Sequence, residues 1–224
     1  MKDILLLDLD NTILDFSKAE HEALYKVLEV YNVENTKENH DLYYKINVEY
    51  WKKYELHLID REVLLGLRFE DFFSHFNVEV DGKKVNDLYF SYLSSFAYFM
   101  PNCKEFCEEC KKRNIIILIA SNGVGLVQKP RIEKSGLKKY FQKVYLSEEI
   151  GYNKPDVEFF DSILKDYPFK ERMVMIGDSL SSDIRGGKNF NIPTIWYNPN
   201  HLESDLPDYQ VDDLLQIFRI LEEI

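Results

Sequence analysis

At 224 residues, the chain is long enough to bury a sizeable core, as one large domain or as a core with a smaller insert. Its 45% hydrophobic and 30% charged content is that of a folded protein, and a net charge of −11 argues against nucleic acid or an anionic membrane as a main partner. No apolar stretch approaches the span of a bilayer and no signal-peptide pattern opens the chain, so the expected setting is the cytoplasm. The first predicted element, Ile4 to Leu7, is a short, wholly apolar run and reads as a buried parallel strand. It ends in Asp8-Leu9-Asp10-Asn11-Thr12. Ligands of open α/β sheets bind at the carboxyl ends of such strands, so Asp8 and Asp10 are expected at that mouth with Leu9 turned away. Two carboxylates 4 Å apart repel by about 4 kcal/mol at an effective dielectric near 20. A cation or a shared proton relieves that repulsion. One such aspartate would read as a helix or turn cap; the Asp-x-Asp-x-Thr run after four apolar residues points instead to chemistry.

From Ser17 to about Phe99 the composition changes, with Tyr, Phe, Glu and Lys at helical spacing and no convincing strand. A cap signal at Asp15 to Ser17 precedes an apolar stripe of Leu24, Val27, Leu28 and Tyr31. Further helices are predicted over Lys37–Tyr54, Asp60–Phe76 and Lys84–Phe96, with a turn at Val78 to Lys83. Most aromatics here should pack between helices; Trp51 and Arg68 are the candidates for stacking a flat group of a substrate. The five histidines are scattered without metal-ligand spacing and read as surface residues or residues of the helical insert.

Pro101 to Arg113 reads as a helix carrying Cys103, Cys107 and Cys110. Their spacing matches an iron–sulfur pattern, but i, i+4, i+7 is also one helix face, and three buried thiols facing a sheet explain it without metal. An odd count argues against a disulfide framework. Beyond this point strands alternate with helices. Ile115 to Ala120 ends in Ser121-Asn122-Gly123, and Pro130, inside the helix expected next, should shorten or kink its start. Gly151 to Asp156 is a loop bearing Lys154, and Met173 to Ile176 ends in Gly177-Asp178 with Asp183 further on. The fold class is therefore α/β, a doubly wound parallel sheet with an inserted helical domain, 1–15 and 97–224 forming the core and 16–96 the insert.

Asp-x-Asp-x-Thr, a strand-end Ser before Asn-Gly, Lys-Pro, and Gly-Asp-Ser-x-x-x-Asp together resemble the four-motif signature of haloacid dehalogenase-type phosphohydrolases. The resemblance covers almost the whole chain, with the insert at the length of a helical cap. Asn47-x-x-x-Trp51, Gly66-x-Arg68-Phe69 and Ser147-Glu148-Glu149-Ile150-Gly151 are similar to the nucleoside 5′-monophosphate phosphatases within it. Departures are mild: Asn11 and Asn102 stand where Gly is common, and Ser121 where Thr is.

The resemblance implies Asp8 as nucleophile, Asp10 as general acid and base, and Thr12 as a residue that orients the loop and Asp10. It implies that Ser121, the backbone at Asn122 and Gly123, and Lys154 hold the phosphate. Mg²⁺ is the expected cofactor, on the side chains of Asp8 and Asp178 and the Asp10 carbonyl, with Asp183 holding its water shell or orienting Lys154. The expected partner is a small phosphorylated metabolite, a nucleotide first, with neither nucleic acid nor membrane, for a monomer or homodimer. A phosphoglycolate or sugar-phosphate phosphatase, a phosphomutase, a phospho-acceptor domain and an inactive regulatory protein remain alternatives.

Overall fold

The structure is a computed structural model and describes residues 2–224. The chain divides into two compact units: one runs to Phe16 and resumes from Ala97 to Ile224, the other is Ser17–Phe96.

The first unit is built on β1 (Ile4–Leu7), whose four side chains are fully buried. Burial of each stabilises by roughly 1.5–3 kcal/mol against exposure. Their alternation divides them between two faces. Leu5 and Leu7 join a cluster with Cys103, Phe106, Cys107 and Cys110, whereas Ile4 and Leu6 join Phe159, Phe160 and Ile163 on the other side. The three cysteines are thus free, buried thiols facing the sheet, as their helical spacing implies.

Four helices form the second unit: α1 (Phe16–Val30), α2 (Lys37–Glu55), α3 (Arg61–Ser74) and α4 (Gly82–Leu93). Thr36 Oγ1 accepts from Asn39 N (3.2 Å) to cap α2. Asp81 Oδ1 does the same for Lys84 N (3.2 Å), so α4 starts two residues earlier than the turn signal suggests. Tyr43, Phe69, Phe72 and Tyr89 fill the unit's core, with ring centroids 5.3–5.9 Å apart. His21 and His40, unrelated in sequence, stack at 3.9 Å.

The chain then returns through α5 (Cys103–Lys112), β2 (Ile116–Ser121), α6 (Gly125–Ser135), β3 (Phe141–Leu146), α7 (Ser147–Ile150) and α8 (Val157–Asp166). It finishes with β4 (Met173–Gly177), α9 (Arg185–Asn189), β5 (Thr194–Tyr197), β6 (Tyr209–Val211) and α10 (Ile217–Glu223). The six strands are all parallel in the order β3-β2-β1-β4-β5-β6, the doubly wound arrangement expected. Pro130 does not shorten the start of α6, contrary to expectation: the helix runs unbroken from Gly125 to Ser135. Proline leaves one carbonyl a turn earlier without its donor, and Leu126 there lies on the exposed face, where water can serve it.

No helix among the described residues is long and apolar enough to cross a membrane. Asn11 and Asn102 both adopt left-handed backbone, φ 57°. That explains both departures from glycine, because asparagine is the side chain that best tolerates this region.

Candidate active site

Strand register assembles the site. Leu7 of β1 is level with Ile119 of β2 on one side and Ile176 of β4 on the other, so three neighbouring strands finish together. After β1 the chain winds outward through β2 and β3 and then crosses to β4, which puts the switch in winding direction between β1 and β4. Ligands of such sheets bind in the crevice at that switch. Asp8, Ser121 and Asp178 come from these three strand ends, and the loop carrying Lys154 adds a cation.

Lys154 is the hub, only 1% exposed. Its Nζ donates to Asp8 Oδ1 (2.7 Å), to Asp183 Oδ1 (2.6 Å) and to the Ala120 carbonyl, which uses all three protons. Burial opposes its charge, but the Asp183 and Asp8 carboxylates override that and push the ammonium's pKa up. Its backbone is tied down as well: Asn122 Nδ2 donates to the Lys154 carbonyl and Asn122 Oδ1 accepts from Lys154 N, both at 2.8 Å. The Asn122 side chain therefore places the loop, a function distinct from the backbone role expected of it.

The carboxylates outnumber this cation. One oxygen each from Asp8, Asp178 and Asp183 lie within 4.8 Å of one another. Burial, reinforced by the charges of Asp183 and Asp10, pushes Asp8 up to about 7 against the pull of Lys154. Burial and the neighbouring Asp8 likewise raise Asp178 well above the carboxylate range. An all-oxygen, charge-rich cluster of this kind suits a hard divalent cation. Asp183 Oδ1 accepts from Lys154 Nζ and its Oδ2 from Ser179 N (3.1 Å), while the residue also belongs to the three-carboxylate cluster. Gly177 leaves the space for it: a Cβ there would lie 2.1 Å from Asp183 Oδ2.

Ser121 Oγ is buried and accepts from Gly123 N at 3.0 Å. Asp10 stands at the mouth with its side chain 24% exposed, and Leu9 is buried on the α5 face of the sheet, as the alternation requires. Thr12 does not orient Asp10: its buried hydroxyl has no hydrogen-bond partner among the described residues. Asp10 is gripped instead from α6. Gln128 Nε2 donates to its Oδ2 and Arg131 Nη1 to its Oδ1. Neither residue figured among the sequence candidates. The available signal was their three-residue spacing on the helix that begins just past the Ser121 loop, which puts both on one face.

Arg68 departs from its expected role. Its guanidinium is 2% exposed inside the helical unit, where Nη1 donates to Asn47 Oδ1 (2.6 Å) and Nη2 to Asn86 Oδ1 (2.8 Å). Asn47 Nδ2 in turn donates to Glu20 Oε1 (2.8 Å). The rings of Phe69 and Tyr89 lie 4.8 and 5.3 Å from the guanidinium carbon. These bonds and rings hold Arg68 in the unit's interior, although its buried Nε has no hydrogen-bond partner among the described residues. Trp51 is half-buried, edge-on to Tyr54 with centroids 5.8 Å apart.

Comparison with known proteins agrees with this arrangement. Residues 5–197 match the haloacid dehalogenase-like hydrolase family. The pyrimidine 5′-nucleotidase PynA of Streptococcus pneumoniae is 38% identical, with 98% of this chain and 97% of that protein aligned. The pyrimidine 5′-nucleotidase YjjG of Escherichia coli is 30% identical over 98% and 97% of the two chains. The crystal structure of the putative hydrolase YfnB from Bacillus subtilis, bound to magnesium, superposes with a TM-score of 0.92 at 29% identity, covering 98% of each chain. With three strand-end motifs meeting the buried lysine of a fourth, and a family match across most of its length, the chain belongs to the haloacid dehalogenase-like hydrolases.

Proposed function

We propose that the protein is a Mg²⁺-dependent phosphomonoesterase that cleaves nucleoside 5′-monophosphates, pyrimidine ones first, through an aspartyl-phosphate on Asp8. The observation that carries the chemistry is Lys154 holding Asp8 and Asp183 together at the strand ends, with Asp178 and Asp10 beside them. The narrower substrate class rests on the likeness to PynA and YjjG, both pyrimidine 5′-nucleotidases.

In this reading an Asp8 oxygen attacks phosphorus; a new O–P bond forms as the bond to the 5′-oxygen breaks, and Asp10 gives that oxygen its proton. A water then attacks the same phosphorus, Asp10 takes the proton back, the Asp8–phosphorus bond breaks and inorganic phosphate leaves. Ser121 and the backbone at Asn122 and Gly123 hold the phosphate oxygens as charge spreads over them, and Lys154 joins them by turning the proton it gives Asp8 toward the phosphate. Asp8, Asp178 and the Asp10 carbonyl would hold the metal, which supplies countercharge between two anions that must meet. Asp10 also favours ester hydrolysis over dehalogenation, since a departing halide needs no proton. The helical unit serves as a cap that selects substrate, with Trp51 as its stacking residue. Free, buried cysteines support a cytoplasmic setting.

The test is phosphate release with Mg²⁺ from a panel of nucleoside monophosphates, sugar phosphates, phosphoglycolate and p-nitrophenyl phosphate. Pyrimidine monophosphates should be turned over best, and Trp51→Ala should raise KM for them more than for p-nitrophenyl phosphate, in line with the roughly 1–3 kcal/mol of a base–aromatic stack. Good turnover of phosphoglycolate or hexose phosphates with nucleotides left intact would overturn the substrate class.

A further inference from the structure

We infer that Gln128 and Arg131 are positioning residues for Asp10, a grip from α6 that fixes where its proton is given and taken. The inference rests on the phosphomonoesterase reading above.

The geometry has three parts. Arg131 is 0% exposed, the largest side chain so enclosed, and its guanidinium lies 5.4 Å from the centre of the Phe16 ring. From that enclosed position it reaches Asp10, which stands at the mouth. Each oxygen of Asp10 has its own donor, Gln128 on Oδ2 and Arg131 on Oδ1, so neither torsion of the side chain is free to turn. Arg131 Nη1 also donates to Gln128 Oε1 (2.9 Å). Arginine has only donors, so this bond settles which end of the amide is which and leaves Nε2 to face Asp10.

The loop before α6 is shaped to let this happen. A Cβ at position 123 would lie 1.9 Å from Gln128 Nε2, so Gly123 opens the path by which the glutamine reaches the β1 end. A second consequence concerns economy of design. A buried ion pair seldom stabilises a fold more than apolar residues of the same volume would, so stability alone gives little reason for an arginine here. Orientation of a proton-transfer group gives one, because catalysis falls steeply when such a group is misplaced by even an ångström.

The experiment measures kcat/KM, which reports steps through departure of the leaving group, for phosphate esters of graded leaving-group pKa. Gln128→Met keeps volume and removes the donor; Arg131→Lys keeps charge and loses the planar fork. Loss of the grip should lower kcat/KM about 10- to 100-fold for nucleoside monophosphates, whose alkoxide needs Asp10's proton. It should lower it less than about threefold for p-nitrophenyl phosphate, whose phenolate leaves almost unaided. KM should stay within about twofold, and the plot of log kcat/KM against leaving-group pKa should steepen. A purely structural role would depress all esters alike. Equal losses across the series in Gln128→Met, or none, with the Tm unchanged, overturn the inference while leaving the phosphatase reading intact. If Gln128→Met fails to fold, the same slope read in Arg131→Lys decides. A wild-type protein that releases phosphate from no ester overturns the phosphatase reading itself.

Discussion

Two buried polar clusters in this chain differ in how their charges are balanced. In the helical unit, Arg68 and Glu20 are one cation and one anion, joined through Asn47, with Asn86 accepting from the second terminal nitrogen of the guanidinium. At the strand ends, Asp8, Asp178 and Asp183 face one lysine, and burial pushes two of the three carboxyls up. Both clusters lie deep, both are hydrogen-bonded, and either could pass for a structural network. The balanced one has no surplus charge for an ion to neutralise. The unbalanced one sets three carboxyls against one lysine, with two of them pushed to keep their protons, and such a surplus marks a site held ready for a cation and a reaction.

The comparison breaks most sharply on Asp8→Asn. The amide is isosteric but a poor nucleophile, so phosphate release should fall below detection, while removal of one crowded negative charge should leave Tm unchanged or raise it. Retained turnover in folded Asp8→Asn protein would remove the covalent route. Arg68→Met should do the reverse. It strands the acceptors of Asn47 and Asn86 in the interior, at a cost of about 3 kcal/mol. For a chain of this size that lowers Tm by roughly 6–12 °C. Chemistry at Asp8 should persist below the melt; a large loss of kcat for p-nitrophenyl phosphate with Tm unmoved would place Arg68 at the substrate after all.

The smallest effect sharpens the charge argument. Asp8, at about 7 against an ordinary 3.8, keeps in the folded state a proton that the unfolded chain has released. Its contribution to stability is therefore full below about 3.8 and lost as pH rises through 7. A cation binding there must displace that proton and the one that Asp178 is pushed to keep, so Mg²⁺ should bind more weakly at pH 5.5 than at pH 8. At saturating Mg²⁺, near 100 times Kd, Tm should rise by roughly 5–10 °C at pH 8 and by clearly less at pH 5.5. The Trp196 indole donates to the Asp178 carbonyl (2.7 Å), so its fluorescence in Trp51→Phe protein gives a second signal. Equal Tm shifts at both pH values, or none, would contradict a cation at this cluster.

What the sequence disclosed follows from the reach of each interaction. β1 and its Asp-x-Asp were legible because an apolar run and the residues just after it are local. The convergence of Asp8, Ser121 and Asp178 was legible because parallel strands bring their ends together by rule. The grip of Gln128 and Arg131 on Asp10 was not, since it depends on which way one face of α6 points, and Pro130 suggested a shortened or kinked start to that helix. Arg68 was misread for a related reason. An arginine among aromatics can stack a ligand or sit sealed between rings, and only the positions of Asn47 and Asn86 distinguish the two. The paired histidines show the same limit, since 19 degrees between planes and 3.9 Å between centroids come from helix packing and leave no trace in spacing.

Where the chain leaves toward the helices and where it returns, the two crossings are stitched to each other: Asp15 N donates to the Tyr98 carbonyl (3.0 Å), Met100 N to the Ile13 carbonyl (3.1 Å), and Leu14 bridges Phe99 antiparallel. The sheet closes its own wound, so to speak, before the excursion begins. A segment whose entry and exit are sutured side by side can be lengthened, exchanged or excised while the reaction centre keeps its shape. The seam is thus a graft junction, at which one catalytic stock can accept different scions.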